Sequence, residues 1–117
     1  MKLYEALVRF KYAGAEDAFR KAESIFPKTE NYKLELLDVN SSRILVRFRV
    51  DGWLTAFEVV PDFLHEYQVN YVPYYRRYDD PEKVETMKDQ ICGLMELEVS
   101  ESGELLEPEK QPEFKLE

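Results

Sequence analysis

Apolar and polar residues alternate along three consecutive stretches in the middle of the chain, at residues 32–38, 43–50 and 53–60. Alternation with a period of two, in segments rich in β-branched and aromatic residues, is typical of strands that bury one face. Asp51 and Gly52 separate the last two stretches and suit the positive φ angles of a type I′ turn. The pattern therefore predicts an antiparallel meander over residues 32–60.

The predicted turn also fixes the register of the last two strands. The expected partners on one face are Phe48 with Thr55, Val46 with Phe57, and Ile44 with Val59. A three-residue loop at residues 40–42 extends this face to the first strand, because it sets Leu36 opposite Val46 and Leu34 opposite Phe48. A slip of one residue would turn the apolar side chains to the opposite face, so the pattern determines the register.

The residues before the meander predict one strand and one helix. Residues 3–12 alternate with the same period of two, and Gly14 ends the alternation. Residues 15–26 carry apolar side chains at helical spacing, and Pro27 ends this stretch. We therefore expect a half-buried strand followed by an amphipathic helix.

The residues after the meander predict further helical segments and a last strand. The spacing of apolar residues within 62–70 favours a short helix. Asp79-Asp80-Pro81-Glu82 is a strong helix start, because aspartate caps free N–H groups and proline suits the first turn. The helical spacing continues to Gly93, a candidate helix end, and residues 95–99 alternate as a strand would.

These elements predict an α+β fold with the order β-α-β-β-β-(α)-α-β along the chain. The expected architecture is an antiparallel sheet of four to five strands, with two or three helices packed mainly on one face. We expect residues 1–100 to form a single domain and residues 101–117 to form an acidic, loosely ordered tail.

The acidic charge is concentrated towards the C-terminus. The formal net charge is -8, from 24 acidic and 16 basic residues. Residues 96–117 contribute eight acidic residues and two lysines, whereas residues 1–95 contribute sixteen acidic and fourteen basic residues. The body is nearly balanced, and this distribution favours a solubilising tail over mimicry of a nucleic acid.

Few residues of the chain indicate catalysis or ligand chemistry. There is one histidine, His65, and one cysteine, Cys92, which lies late in the predicted last helix. This position favours a buried, inert thiol, and His65 is interpreted as a surface or loop-packing residue. The chain has only four glycines and no phosphate-binding loop pattern, which argues against a nucleotide cofactor. We predict no catalytic residue, no cofactor and no metal site, so the protein is not expected to be an enzyme.

The sequence also lacks the patterns of a secreted or membrane protein. Its first residues contain no uninterrupted apolar stretch, and no segment approaches the ~20 apolar residues that span a bilayer. A lone cysteine cannot form an internal disulfide, which favours a reducing compartment. We expect a cytoplasmic protein, of a cell or of a virus-infected host cell, with no membrane partner.

An aromatic and basic segment is the clearest functional signal, because five of the eight tyrosines fall within residues 67–78. Tyrosine and arginine are among the side chains that most often anchor recognition surfaces. The predicted partner-binding residues are Tyr71, Tyr74, Tyr75, Arg76, Arg77 and Tyr78. The alternative interpretation is that these tyrosines close the core over the sheet edge. A mixed outcome is favoured, with Tyr67 and Tyr71 packed and several of the others exposed.

A second candidate surface is the outward face of the meander, where Arg43, Arg47 and Arg49 are expected side by side. Basic side chains near aromatic ones can bind single-stranded nucleic acid, since bases stack and cations follow phosphates. Glu35 and Glu58 are expected on the same face and dilute its charge. The favoured interpretation is therefore a solvated face with cross-strand ion pairs.

These observations predict a small, non-enzymatic cytoplasmic protein that binds and modulates another protein. Inhibitors, immunity proteins and virus-encoded anti-defence proteins are the functional types with comparable features, by analogy alone. Two alternatives stay open: single-stranded nucleic-acid binding through the arginine face, and a small-ligand-binding domain with a pocket between sheet and helices. A homodimer is a further expectation, because most oligomers are symmetric dimers.

Overall fold

The computed structural model describes residues 1–9, 15–25, 32–39, 43–50, 53–73 and 80–106. Within these ranges the chain forms three helices and four strands. Their bounds are α1 Leu3–Arg9, α2 Ala15–Ile25, β1 Tyr32–Val39, β2 Ile44–Val50, β3 Trp53–Pro61, β4 Tyr67–Val72 and α3 Pro81–Met95. None of the helices in the described ranges is long and apolar enough to cross a bilayer.

The strands form one antiparallel sheet in the order β1-β2-β3-β4. The predicted register is confirmed, since Val46 on β2 lies opposite Leu36 on β1 and opposite Phe57 on β3. The register shifts between Leu36 and Asp38, where β1 has one residue more than β2. The predicted loop at residues 40–42 and the predicted type I′ turn at residues 51–52 lie outside the described residues.

One face of the sheet is buried beneath the helices. Phe48 and Phe57 are fully buried on this face, and their rings meet edge to face with centroids 6.1 Å apart. The helices contribute Leu7 from α1, Phe19 from α2 and Ile91 from α3 to the same core. The predicted α+β class, with helices on one face of an antiparallel sheet, is therefore confirmed.

The N-terminal element is a helix, so the strand predicted over residues 3–12 is wrong where the chain is described. The buried residues of α1 are Leu3, Tyr4, Ala6 and Leu7. This set has the i, i+3, i+4 spacing of a helix, and Val8, which the alternation would have buried, is 38% exposed. Leu3 and Leu7 lie on the face that the alternation would leave polar. The apolar pattern of this segment therefore fits both the period of a strand and the period of a helix. Contacts of α1 with α2 and α3 favour the helix.

The segment after β3 is a loop and a strand, so the short helix predicted near residues 62–70 is also wrong. β4 pairs antiparallel with β3, with Val69 opposite Val59. Tyr67, Val69 and Tyr71 pack on the core with a period of two. The spacing of Tyr67 and Tyr71 fits both a helical turn and two strand repeats, so this spacing alone does not distinguish the predicted helix from the observed strand.

Helix α3 begins where the sequence predicts, but it ends two residues beyond the predicted end at Gly93. Asp80 is its N-cap and accepts a hydrogen bond from the Lys83 amide at 3.2 Å, with Pro81 in the first turn. The helix passes through Gly93 and ends at Met95. Gly93 is therefore not the helix end.

Residues 95–99 do not form the predicted last strand of the sheet. They contribute two isolated bridges instead, Lys2 with Glu98 and Val99 with Leu105. Residues 100–106 turn back on the chain through Gly103, which has a φ of 88°. The observed order of elements is thus α-α-β-β-β-β-α. Of the tail predicted over residues 101–117, residues 107–117 lie outside the described residues.

Candidate functional site

The connection between β3 and β4 presents two large apolar side chains to solvent. This β3–β4 loop comprises residues 62–66. Phe63 is fully exposed and Leu64 is 81% exposed. The next most exposed large apolar residue among those described, Leu106, is 56% exposed. Adjacent apolar side chains held out in this way are typical of an interaction site.

The conformation of the β3–β4 loop is held by Asp62. One carboxylate oxygen of Asp62 accepts a hydrogen bond from the Leu64 amide at 3.3 Å, and the other lies 3.0 Å from Nδ1 of His65. The Asp62 amide donates to the Glu66 carbonyl at 3.4 Å. The hydrogen bond with His65 is the main reason that the pKa of Asp62 lies below its usual range. These bonds order the loop, so Phe63 and Leu64 are presented in a defined direction.

An acidic cleft of about 360 Å³ lies beside this loop. Its lining residues are Lys2, His65, Glu66, Tyr67 and Glu96. The ammonium of Lys2 bridges the two glutamates, at 3.1 Å from Glu66 Oε2 and 3.2 Å from Glu96 Oε1. These hydrogen bonds, first that with Glu66, raise the pKa of Lys2. Lys2 therefore keeps its charge at neutral pH and offsets part of the negative charge of the cleft.

Tyr67 forms the inner wall of the cleft. Its hydroxyl donates to Glu96 Oε2 at 2.7 Å and lies 3.3 Å from the Cys92 carbonyl. Its ring lies 4.6 Å from that of Tyr4 between centroids. Burial, together with the neighbouring Glu96, raises the pKa of Tyr67 far above its usual range. The hydroxyl therefore stays protonated and positions Glu96.

Cys92 and His65, the only cysteine and histidine of the chain, do not pair with each other. Burial raises the pKa of the half-buried Cys92 thiol, which disfavours the nucleophilic thiolate. His65 is paired with Asp62 on the exposed loop rather than with this thiol. Among the described residues, no group of three or more histidine, cysteine, aspartate or glutamate side chains could hold a metal ion. The absence of enzymatic activity stays a prediction.

Most of the predicted partner-binding segment falls where the structure gives no description. Tyr74, Tyr75, Arg76, Arg77 and Tyr78 lie outside the described residues. Tyr71 packs against the core, with its ring 5.5 Å from that of Phe57 between centroids. The role of the segment as a contact surface stays a prediction.

The arginines of the second candidate surface lie close to glutamates on the face of the sheet opposite the helices. Arg47 donates from Nε to Glu35 Oε2 at 2.9 Å and forms a second bond through Nη2. Arg49 lies 3.8 Å from Glu35, and Arg43 lies 3.6 Å from Glu58. This is the cross-strand ion pairing that the sequence favoured. It reduces the positive potential available to phosphates, although nucleic-acid binding itself stays untested.

The Glu35–Arg47 pair predicts a specific pH dependence of stability. Partial burial raises the pKa of Glu35, but the hydrogen bond and charge of Arg47, with Lys33 and Arg49, outweigh it and lower the pKa. A lowered folded-state pKa contributes stability above the unfolded value of about 4.3, and this contribution is lost as pH falls through the folded value. Urea unfolding at about pH 6 and pH 3 should therefore show a smaller acid-induced loss for Glu35→Gln than for the wild-type chain.

The matched control for this experiment is Glu85→Gln, which removes an exposed carboxylate from α3. The free energy of unfolding of Glu85→Gln should fall as much on acidification as that of the wild-type chain. An equal loss in all three proteins would contradict the stabilising role of Glu35.

The local sequence pattern predicts neither part of this site. The spacing of apolar residues within 62–70 favours a helix at Phe63 and Leu64, although Pro61-Asp62 before them and His65-Glu66 after them are turn and polar residues that indicate a loop. Lys2, Glu66 and Glu96 come from three distant parts of the chain, and no local pattern links them.

Comparison with family models, with curated proteins and with solved structures found no match for this chain.

Proposed function

We propose that this chain is a small, non-enzymatic binding protein that docks on another protein through the β3–β4 loop and modulates it. The observation that carries the proposal is the exposure of Phe63 and Leu64 on a loop ordered by Asp62. A few side chains that fill well-packed pockets of the partner dominate the affinity of many interfaces. A loop that is already ordered loses less conformational entropy when it binds.

The proposed modulators are those of the inhibitor, immunity or virus-encoded anti-defence type, by analogy of size and surface. The proposed location is the cytoplasm of a cell or of an infected host cell. A single cysteine, which makes no disulfide in this chain, supports a reducing compartment.

The tyrosine and arginine segment is proposed as a second contact at the same interface. It follows Val72 and Pro73 at the far end of β4, while the β3–β4 loop precedes Tyr67 at the near end. Six strand residues span about 20 Å, and a typical interface patch of roughly 800 Å² per partner is wide enough to include both ends. One partner is therefore large enough to contact the β3–β4 loop and residues beyond the other end of β4.

Replacing Tyr74, Tyr75, Arg76 and Arg77 together with alanine tests this second contact. We expect affinity for the partner to fall by about tenfold or more, because aromatic and arginine side chains are the commonest interface anchors. Thermal unfolding serves as the control for folding. Unchanged affinity in a folded variant would remove the segment from the interface.

Nucleic-acid binding through Arg43, Arg47 and Arg49 is the alternative proposal, and the ion pairs with Glu35 and Glu58 weigh against it. A small-ligand-binding domain and a homodimer are the remaining alternatives. The open cleft at Lys2 and Glu96 is shallow for a ligand that must be mostly enclosed.

The class of function is tested by capture from a lysate of cells that express the chain, with and without nuclease. We expect a stoichiometric protein that is retained after nuclease treatment. Recovery of RNA or DNA alone, lost after nuclease, would contradict the proposal and favour the arginine face.

A further inference from the structure

The charges around the apolar tip of the β3–β4 loop are predominantly negative. Asp62 and Glu66 lie within the loop, and Glu96 lies across the cleft. Lys2 is the only cation in contact with these carboxylates among the described residues. Three carboxylates face one ammonium, so acidic groups outnumber lysine in this part of the surface.

The carboxylates that flank the cleft remain accessible to a partner. The side chains of Glu66 and Glu96 are 36% and 48% exposed, and Lys2 approaches one oxygen of each. A carboxylate oxygen has two lone pairs and can accept from more than one donor. Guanidinium and ammonium groups of a partner can therefore reach both glutamates while Lys2 is in place.

This charge distribution discriminates among the surfaces that could cover Phe63 and Leu64. Anionic membranes and nucleic acids would place negative charge against Asp62, Glu66 and Glu96. A second copy of the chain carries the same net charge of -8 and the same acidic loop. Like-charge repulsion opposes contact of the loop with an anionic membrane, with a nucleic acid and with a second copy of the chain. A basic protein surface is instead attracted and steered towards the loop.

We infer that the partner is a protein with an apolar pocket rimmed by lysine or arginine, which takes Phe63 and Leu64 while the rim contacts Glu66 and Glu96. The inference rests on the proposed function, since it assigns the chemistry of the partner to the loop already proposed to dock. The apolar pair supplies most of the affinity, and the carboxylates supply orientation and a faster association rate.

The test uses the protein that the wild-type chain retains from lysate and that the Phe63→Ser, Leu64→Ser variant does not retain. This protein is purified and its association with the chain is measured at about 50 mM and 500 mM NaCl. The charge variant is Glu66→Gln with Glu96→Gln, in which glutamine keeps an acceptor oxygen for Tyr67. The matched control is Glu82→Gln with Glu85→Gln, which removes the same charge from the exposed start of α3.

We expect the charge variant to weaken binding by about tenfold at low salt, mainly through slower association, and the difference to shrink at high salt. The control should change affinity by less than about twofold. Equal affinity of the wild-type chain and the charge variant at both salt concentrations would overturn the basic rim while leaving the proposed function intact.

Three further outcomes are separate from these. If every retained protein binds the Phe63→Ser, Leu64→Ser variant as tightly as the wild-type chain, the proposed function itself fails. Sedimentation of the chain alone as a dimer that the same serine variant dissociates would assign the loop to a second copy. Retention on phosphatidylserine vesicles that depends on Phe63 would assign it to a membrane. Either result would overturn the basic protein partner.

Discussion

Replacing Phe63 and Leu64 with serine is expected to weaken binding to the partner by about 100- to 1000-fold without destabilising the fold. Burial of each side chain in a pocket contributes about 1.5–3 kcal/mol to binding. The cost of ordering the side chains offsets part of this sum, so the pair accounts for about 3–4 kcal/mol of the binding free energy. Because both side chains are exposed in the free chain, the substitutions remove no contact from the core. Isothermal titration of the purified partner measures the affinity, and urea unfolding measures the stability.

The matched control for this experiment is Leu106→Ser. Leu106 is also an exposed apolar residue, but it lies in the C-terminal turn rather than in the β3–β4 loop. We expect it to change affinity by less than about twofold. An equal effect of Leu106→Ser would mean that general surface hydrophobicity, and not the loop, determines binding.

The second large effect is expected in the core, where Phe57→Ala should lower the free energy of unfolding by about 3–5 kcal/mol. Phe57 is fully buried at the centre of β3, against the rings of Phe48 and Tyr71. Its truncation removes apolar burial and leaves a cavity between the sheet and the helices, and close-packed neighbours fill such a cavity only in part. A loss of this size is a large share of the stability of a single domain.

Phe63→Ala is the matched control for the core substitution, because it makes the same chemical change at an exposed position. It should alter the free energy of unfolding by less than about 0.5 kcal/mol. Urea denaturation of the two variants and the wild-type chain provides the comparison. Similar losses at positions 57 and 63 would contradict the assignment of one phenylalanine to the core and the other to the surface.

Strands β1 to β3 were predictable because several local signals agree there. The period of two and the two-residue connection before Trp53 set the same register, and a slip would have exposed Val46 and Phe48. The start of α3 was predictable for a similar reason, since Asp80 suits the N-cap, Pro81 suits the first turn, and an apolar helical stripe follows them.

Helix α1 and strand β4 were not predictable, because their apolar spacing fits two periods. Residues 3–9 alternate, yet Leu3 and Leu7 also form a helical stripe, and packing against the other helices decides the outcome. Tyr67 and Tyr71 are four residues apart, which suits a helix and a strand equally, and pairing with β3 decides it. Tertiary contacts of this kind override local preference, and they cannot be recognised from a short stretch of sequence.

The candidate site was harder to predict than the fold. The composition of the tyrosine segment is visible in the sequence, whereas the exposure of Phe63 and Leu64 depends on where β3 ends and β4 begins. The acidic cleft depends on α1 and α3 bringing Lys2 and Glu96 to the start of β4. Burial and long-range proximity are properties of the folded chain, so composition alone could not identify these residues.

The most direct test of docking through the β3–β4 loop is a map of the partner's footprint on the chain. At 13.9 kDa the chain is small enough for assigned NMR spectra of its amides and methyl groups during titration with the partner. We expect the largest shift changes at residues 62–66, with intermolecular NOEs to the Phe63 ring and the Leu64 methyl groups. Unchanged signals from residues 62–66, with the largest changes in β2 around Arg47, would contradict the proposed docking site.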